Sequence, residues 1–163
     1  MKPVPTAHDA AHDTVTVRQA RLADLDSVAA LFDAYRQFYA QPADLARATA
    51  FIGERMRNSE STVLLAEDAQ GQPAGFCQLY PSFCSVAAAR IHVLYDLFVA
   101  PGARGKGAGR SLMLAAQDFA AAAGSARMDL TTARDNHRAQ ALYEATGWQR
   151  DDVFLAYNWA PPR

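Results

Sequence analysis

The segment Arg104-Gly-Lys-Gly-Ala-Gly-Arg-Ser111 constrains this chain more than any other. It joins a β-rich run, Arg90–Val99, to a stretch in which Leu112, Ala116, Phe119 and Ala123 recur at helical spacing. A strand that feeds a helix through alternating glycines has a backbone free to turn without Cβ clashes. Successive N–H groups then point into one concavity, and the helix start adds its dipole and unpaired donors, a combination that suits a pyrophosphate. Arg104, Lys106 and Arg110 bring positive charge to the place. Two other phosphate motifs are excluded. The P-loop ends Gly-Lys-Ser/Thr, whereas Gly107 follows Lys106. The dinucleotide fingerprint, begun at Gly105 or Gly107, puts Arg110 or Leu112 where its last small residue belongs.

Hydrophobic periodicity sets the rest of the architecture. Thr14–Arg18 alternates and reads as a strand. Leu25, Val28, Phe32, Tyr35 and Tyr39 mark an amphipathic helix, and Pro42 suits the first turn of a second helix carrying Leu45, Ala48, Ile52 and Met56. Ser61–Glu67 and Gly75–Tyr80 flank the turn Asp68–Pro73 as a hairpin, and Arg90–Val99 is a third, longer run. Gly124 caps the helix after the glycine loop, Arg127–Thr132 reads as a strand and Asn136–Thr146 as a short helix. Val153–Trp159 reads as a last strand. The order predicts an α/β domain over residues 14–163, preceded by a polar tail of residues 1–13.

The chain has 163 residues, half of them hydrophobic and a fifth charged, which excludes a disordered chain. A formal charge of -1 argues against a basic surface for nucleic acid. No apolar run approaches the ~20 residues needed to span a bilayer, and residues 1–13 contain no signal-peptide core. Cys77 and Cys84 fit neither a C-x-x-C motif nor a zinc pair and read as buried free thiols. A soluble cytoplasmic protein is expected, with no metal and neither nucleic-acid nor membrane partner. His8 and His12 stand four apart, but in a tail where nothing fixes a helix they read as solvated.

Arg104-Gly-Lys-Gly-Ala-Gly109 resembles the acyl-CoA-binding R/Q-x-x-G-x-G/A signature of the GNAT superfamily of N-acetyltransferases. Asn136-His-Arg-Ala-Gln-Ala-Leu-Tyr-Glu-Ala-Thr-Gly-Trp148 is similar to that family's N-x-x-A-x-x-L-Y-x-x-x-G-F element, with Trp148 in place of Phe. Tyr95–Val99 and Asp135–Gln140 look most like the small-amine and histone-type members, including aminoglycoside 3-N-acetyltransferases. The resemblance implies a single-domain mixed, mainly antiparallel sheet of six or seven strands flanked by about four helices. It also implies a homodimer. Acetyl-CoA is the implied cosubstrate, held by the backbone of Leu97, Phe98 and Val99, by the loop Arg104, Gly105, Lys106, Gly107, Ala108, Gly109, Arg110 and Ser111, and by Asn136 and Tyr143.

Transfer of acetyl from a thioester to an amine needs a neutral amine, a donor for the oxyanion and a proton for the leaving thiolate. The resemblance assigns the donor to the Val99 N–H and the proton to Tyr143, whose reference pKa near 10 suits a thiol partner. Asp96, a lone carboxylate in an apolar strand, is the candidate base, with Glu67 and His92 behind it. Direct transfer leaves Cys77 and Cys84 without a nucleophilic role. The expected function is an acetyl-CoA-dependent N-acetyltransferase acting on a small-molecule primary amine. Acetylation of protein lysines or N-termini, and a non-catalytic acyl-CoA-binding module, stand as alternatives. Phe38, Tyr39, Tyr80 and Phe83 are available to wall an acceptor pocket or to close the core.

Overall fold

The computed structural model describes residues 15–162. The expected tail of residues 1–13, with His8 and His12, lies outside them. Chain contacts define two compact units that meet at Thr131 and Thr132. The first holds β1 (Thr16–Gln19), a 3-10 turn (Leu22–Asp24), α1 (Leu25–Phe38), α2 (Leu45–Arg57), β2 (Thr62–Glu67), β3 (Pro73–Cys84), β4 (Ala89–Val99), a second 3-10 turn (Pro101–Ala103), α3 (Ala108–Ala122) and β5 (Met128–Asp129). The second holds α4 (His137–Ala145).

The strands form one sheet in the order β1-β2-β3-β4-β5. The pairings among β1, β2, β3 and β4 are antiparallel, and β5 lies parallel to β4. Side chains alternate between the two faces of a strand, so each face receives its own helices. Val63, Leu65, Phe76 and Phe98 pack with Val28, Leu31, Phe32 and Ile52 of α1 and α2. The Phe32 ring meets Phe76 edge-on at 6.2 Å. On the opposite face α3 covers the sheet, and the Cys77 thiol donates weakly to the Leu112 carbonyl at 3.9 Å. Each fully buried Ile, Leu or Phe contributes roughly 1.5–3 kcal/mol, so Ile52, Leu65, Phe76 and Leu112 anchor both layers.

Helix ends follow local chemistry. Asp44 accepts the Arg47 N–H at 2.9 Å and so starts α2 at Leu45, three residues beyond Pro42. Gly124, at φ +71°, lies just past the end of α3, as its sequence position predicts. The β2–β3 turn is tied by Asp68, whose side chain accepts from the Gln70 and Gln72 N–H groups.

Among the described residues the sheet has five strands rather than the six or seven expected. Residues 153–159 form no strand: the Val153 and Phe154 N–H groups turn back to the Asp151 carboxylate, and Val153, Phe154, Leu155, Tyr157 and Trp159 are exposed. Their β-rich pattern has no cross-strand partner among the described residues, and a strand without a ladder is not stable. The strand expected over Arg127–Thr132 shortens to Met128–Asp129, which pairs only with His92 and Val93. No helix among the described residues is long and apolar enough to cross a membrane.

Candidate active site

A β-bulge organises the middle of β4. Gln78 pairs with Asp96 while Leu79 pairs with Leu94, which leaves Tyr95 as an extra residue without a partner on β3. Beyond the bulge the Ala100 N–H donates to the Ala74 carbonyl at 2.9 Å, so Ala100 faces β3. Antiparallel alternation then turns the N–H and C=O groups of Leu97 and Val99 to the other edge. No described strand pairs with β4 there, because β5 reaches only His92 and Val93. The result is a stretch of open strand edge, presenting backbone donors and acceptors, that leads directly into the glycine loop. Gly75 keeps β3 close: a Cβ at that position would lie 2.5 Å from the Phe98 carbonyl oxygen.

In the loop, Gly105 and Gly107 adopt φ of +82° and +90°, the left-handed region that glycine enters without strain. Gly107 is the N-cap of α3, and the Ser111 N–H bonds back to its carbonyl at 3.0 Å. The N–H groups of Ala108, Gly109 and Arg110 precede that first helical bond and have no acceptor within the helix. They stand at the positive end of the helix dipole, which favours an anion. Arg104 is tied back to the strand it follows. Its Nε donates to the Val99 carbonyl at 3.0 Å, and its guanidinium lies 5.9 Å from the Phe98 ring centre and 6.0 Å from that of Phe38. Its charge is therefore turned towards the aromatic surface of α1. Lys106 borders a cavity of about 250 Å³ shared with Asp68, Pro73, Ala100 and Gly102.

Asp96 is 6% exposed, on the face covered by α1. Its Oδ2 accepts the Gln78 Nε2–H at 2.7 Å, and the Tyr35 hydroxyl also bonds it. Gln78, fully buried, accepts in turn from the Ser61 hydroxyl at 2.7 Å. Burial pushes the Asp96 carboxyl above the usual range, while Gln78 and Tyr35 pull it back by favouring the charged form. Tyr80, pushed up to about 12 by burial and then by the Asp96 charge, lies nearby, its ring edge-on to Tyr95 at 5.8 Å. The structure thus gives the lone carboxylate read from the strand an environment of neutral donors and aromatic rings. Gln78 carries the same signal in the sequence, a polar residue in an apolar strand. Tyr35 gave no separate signal, because it sits within a helical stripe of apolar residues.

The other candidate bases lie apart from Asp96. Glu67 is held by Arg18, which donates to its two oxygens at 3.0 and 2.7 Å. His92 is on the α3 face of the sheet, 5.5 Å from the Phe119 ring, with Nδ1 2.6 Å from the Ser125 hydroxyl. Burial lowers its pKa, which suits a packed neutral imidazole. Cys77 is buried and pushed up to about 12 by burial, which removes thiolate character. Cys84, expected to be buried, is only partly so, and accepts from Arg127 at 3.2 Å.

In the second unit Asn136 caps α4, its Oδ1 accepting the Ala139 N–H at 3.2 Å. Tyr143 is half-buried, with its ring centre 6.4 Å from that of Trp148. Thr146 bonds the Leu142 and Tyr143 carbonyls and closes the helix before Gly147 at φ +88°.

A sequence profile of the Acetyltransferase (GNAT) family matches residues 26–148. The chain is 46% identical over 143 residues to the uncharacterized N-acetyltransferase YhfO of Bacillus subtilis (strain 168), covering 88% of this chain and 95% of that one. A crystal structure of a probable acetyltransferase superposes with a TM-score of 0.85 at 36% identity, over 91% of this chain and 99% of the other. A ribosomal-protein-alanine N-acetyltransferase from Brucella melitensis biovar Abortus 2308 shares the fold, with a TM-score of 0.75 at 20% identity over 90% and 100% of the two chains. The profile spans both the glycine loop and the Asn136–Trp148 element, so this chain is an acyltransferase that belongs to the GNAT family.

Proposed function

We propose that the protein transfers an acetyl group from acetyl-CoA to the primary amine of a small molecule. The observation that carries this reading is the open edge of β4, which runs from the bulge at Tyr95 into the donor-lined loop at the start of α3. An extended amide-bearing arm finds backbone partners at Leu97, and a pyrophosphate finds the N–H groups of Ala108, Gly109 and Arg110. The residues present therefore fit the cosubstrate. Acetyl-CoA supplies the activated thioester carbonyl. The Val99 N–H, projecting from the free edge, offers a donor to the oxygen on which charge develops.

Asp96 takes the ammonium proton of the acceptor, so that the amine attacks in its neutral form. Tyr35, which bonds Asp96, and the nearby Tyr80 bring aromatic rings that suit a cation. Tyr143 donates the proton to the departing thiolate. That role rests on its place in the Asn136–Trp148 element and on its partial burial beside Trp148. Asn136 joins the cosubstrate contacts while it caps α4.

A panel of amines assayed for release of free CoA tests the proposal. Spermidine, an aminoglycoside, free amino acids and a histone-tail peptide cover the acceptor classes. Release with a small amine and none with the peptide is the expected result. Acetyl-CoA binding without release across the panel would show a binding module instead.

A further inference from the structure

We infer that Gln78 is a positioning residue for acetyl transfer: its side-chain amide, pinned by Ser61, holds the Asp96 carboxylate in place to receive the proton of the acceptor amine. This rests on the role given above to Asp96. Three observations carry it. Gln78 has no exposed surface and stands directly opposite Asp96 in the β3–β4 register, so the two side chains share one face. Its two polar ends are both used, Nε2 donating to Asp96 Oδ2 at 2.7 Å and Oε1 accepting from Ser61 Oγ at 2.7 Å. Among the described residues no Lys, Arg or His forms an ion pair with Asp96.

The chemistry of the chain of bonds fixes its direction. An ionised carboxylate only accepts, so the amide must present nitrogen to it. Oε1 then faces Ser61, whose hydroxyl is left to donate. Turning the amide over would set oxygen against carboxylate oxygen and lose the bond. Ser61 therefore locks Gln78, and Gln78 locks Asp96. Neutral donors of this kind hold a carboxylate in place without cancelling its charge, whereas an arginine partner would neutralise it and compete with an incoming ammonium.

The groups that face Asp96 come from four elements. Tyr35 of α1 bonds it, Tyr80 of β3 lies near it with the Tyr95 ring of β4 edge-on to its own, and Arg55 of α2 acts on Tyr80 while paired with Glu54 and Glu60. Cys77 lies behind it on the other sheet face. Of the charged groups in this set, Arg55 is already matched by carboxylates.

The test is a carboxyl-carbon NMR titration of the full chain labelled at aspartate, with the Asp96 signal assigned by its loss in Asp96→Asn. Gln78→Met preserves shape and deletes both polar ends. Its Asp96 pKa is expected to rise by about one unit, because a donor to the charged form is gone. Ser61→Ala, which leaves the amide in place but unpinned, is expected to raise it by less. An unchanged Asp96 titration in folded Gln78→Met overturns the inference. If that variant does not fold, an unchanged titration in Ser61→Ala overturns it instead. The acid limb of CoA release, measured with whichever panel amine is turned over, separates the two claims. When the carboxyl shifts and the limb follows, both stand. When the carboxyl shifts and the limb stays, Gln78 still holds Asp96, and the assignment of Asp96 as proton acceptor falls.

Discussion

Asp96 shows how a single side chain sets stability against chemistry. Burial raises its carboxyl pKa, and the Gln78 and Tyr35 bonds only partly reverse the effect. A carboxyl whose pKa is higher folded than unfolded binds its proton more tightly in the native state. Its contribution to stability is therefore fully present below the unfolded value near 3.9 and is lost as pH rises through the folded value. Each unit of elevation corresponds to about 1.4 kcal/mol lost at neutral pH. Asp96→Asn, which keeps the shape and cannot ionise, is expected to melt a few degrees higher than the parent at pH 7.5. The gap should close towards pH 4, while CoA release at neutral pH falls by roughly a hundred- to ten-thousandfold. Thermal melts across pH 4–8 beside the turnover assay check both parts, and a variant less stable than the parent at pH 7.5 contradicts the account. Asp96 was legible in the sequence because a lone charge in an apolar strand demands a reason. The partners of Glu67 and His92 were not, since Arg18, Phe119 and Ser125 reach them only through the fold.

At the scale of elements, β4 and α3 act as one device through the loop between them. Local pattern revealed the strand, the helix and the glycines, because each has a period or a backbone requirement of its own. The bulge at Tyr95 was invisible, since it exists only as a mismatch between β3 and β4. It nevertheless decides which N–H groups reach the free edge. The pattern at Val153–Trp159 misled for the complementary reason: alternation favours a strand, but only a partner makes one. Gly107 provides the test of this element. At φ +90° any other residue is strained by roughly 1–2 kcal/mol, yet a Cβ there would meet nothing within 4 Å. Gly107→Val is therefore expected to fold, with a modest loss of stability, while the N–H concavity at the start of α3 is deformed and occluded. Calorimetry should detect no acetyl-CoA binding to the folded variant. Binding at the affinity of the parent would refute the phosphate cradle.

For the molecule as a whole, the near-zero net charge conceals a division of labour. Arg104, Lys106 and Arg110 fall within the loop 104–110, whereas Asp96 is buried on the α1 face of the sheet. The family and its two motifs were readable because the glycine loop and the Asn136–Trp148 element each impose strict residue types. The five-strand sheet and the separation into units ending at Thr131 and beginning at Thr132 were not, because they depend on which backbone finds a partner. The β4 edge and the glycine loop both lie within the first unit. A ligand that binds only the native chain stabilises it by RT ln(1 + [L]/Kd), about 2.7 kcal/mol at one hundred times Kd. In a domain of this size that corresponds to a Tm increase of roughly 5–10 °C. Acetyl-CoA and free CoA are both expected to produce it, since the β4 edge and the loop engage the parts that the two share. Gly107→Val should show no increase at the same concentrations. Adenosine, which lacks the pyrophosphate and the amide-bearing arm, should leave the parent's melt unchanged. A flat response of the parent to millimolar acetyl-CoA would contradict the assignment of the open β4 edge and the glycine loop as one continuous binding surface.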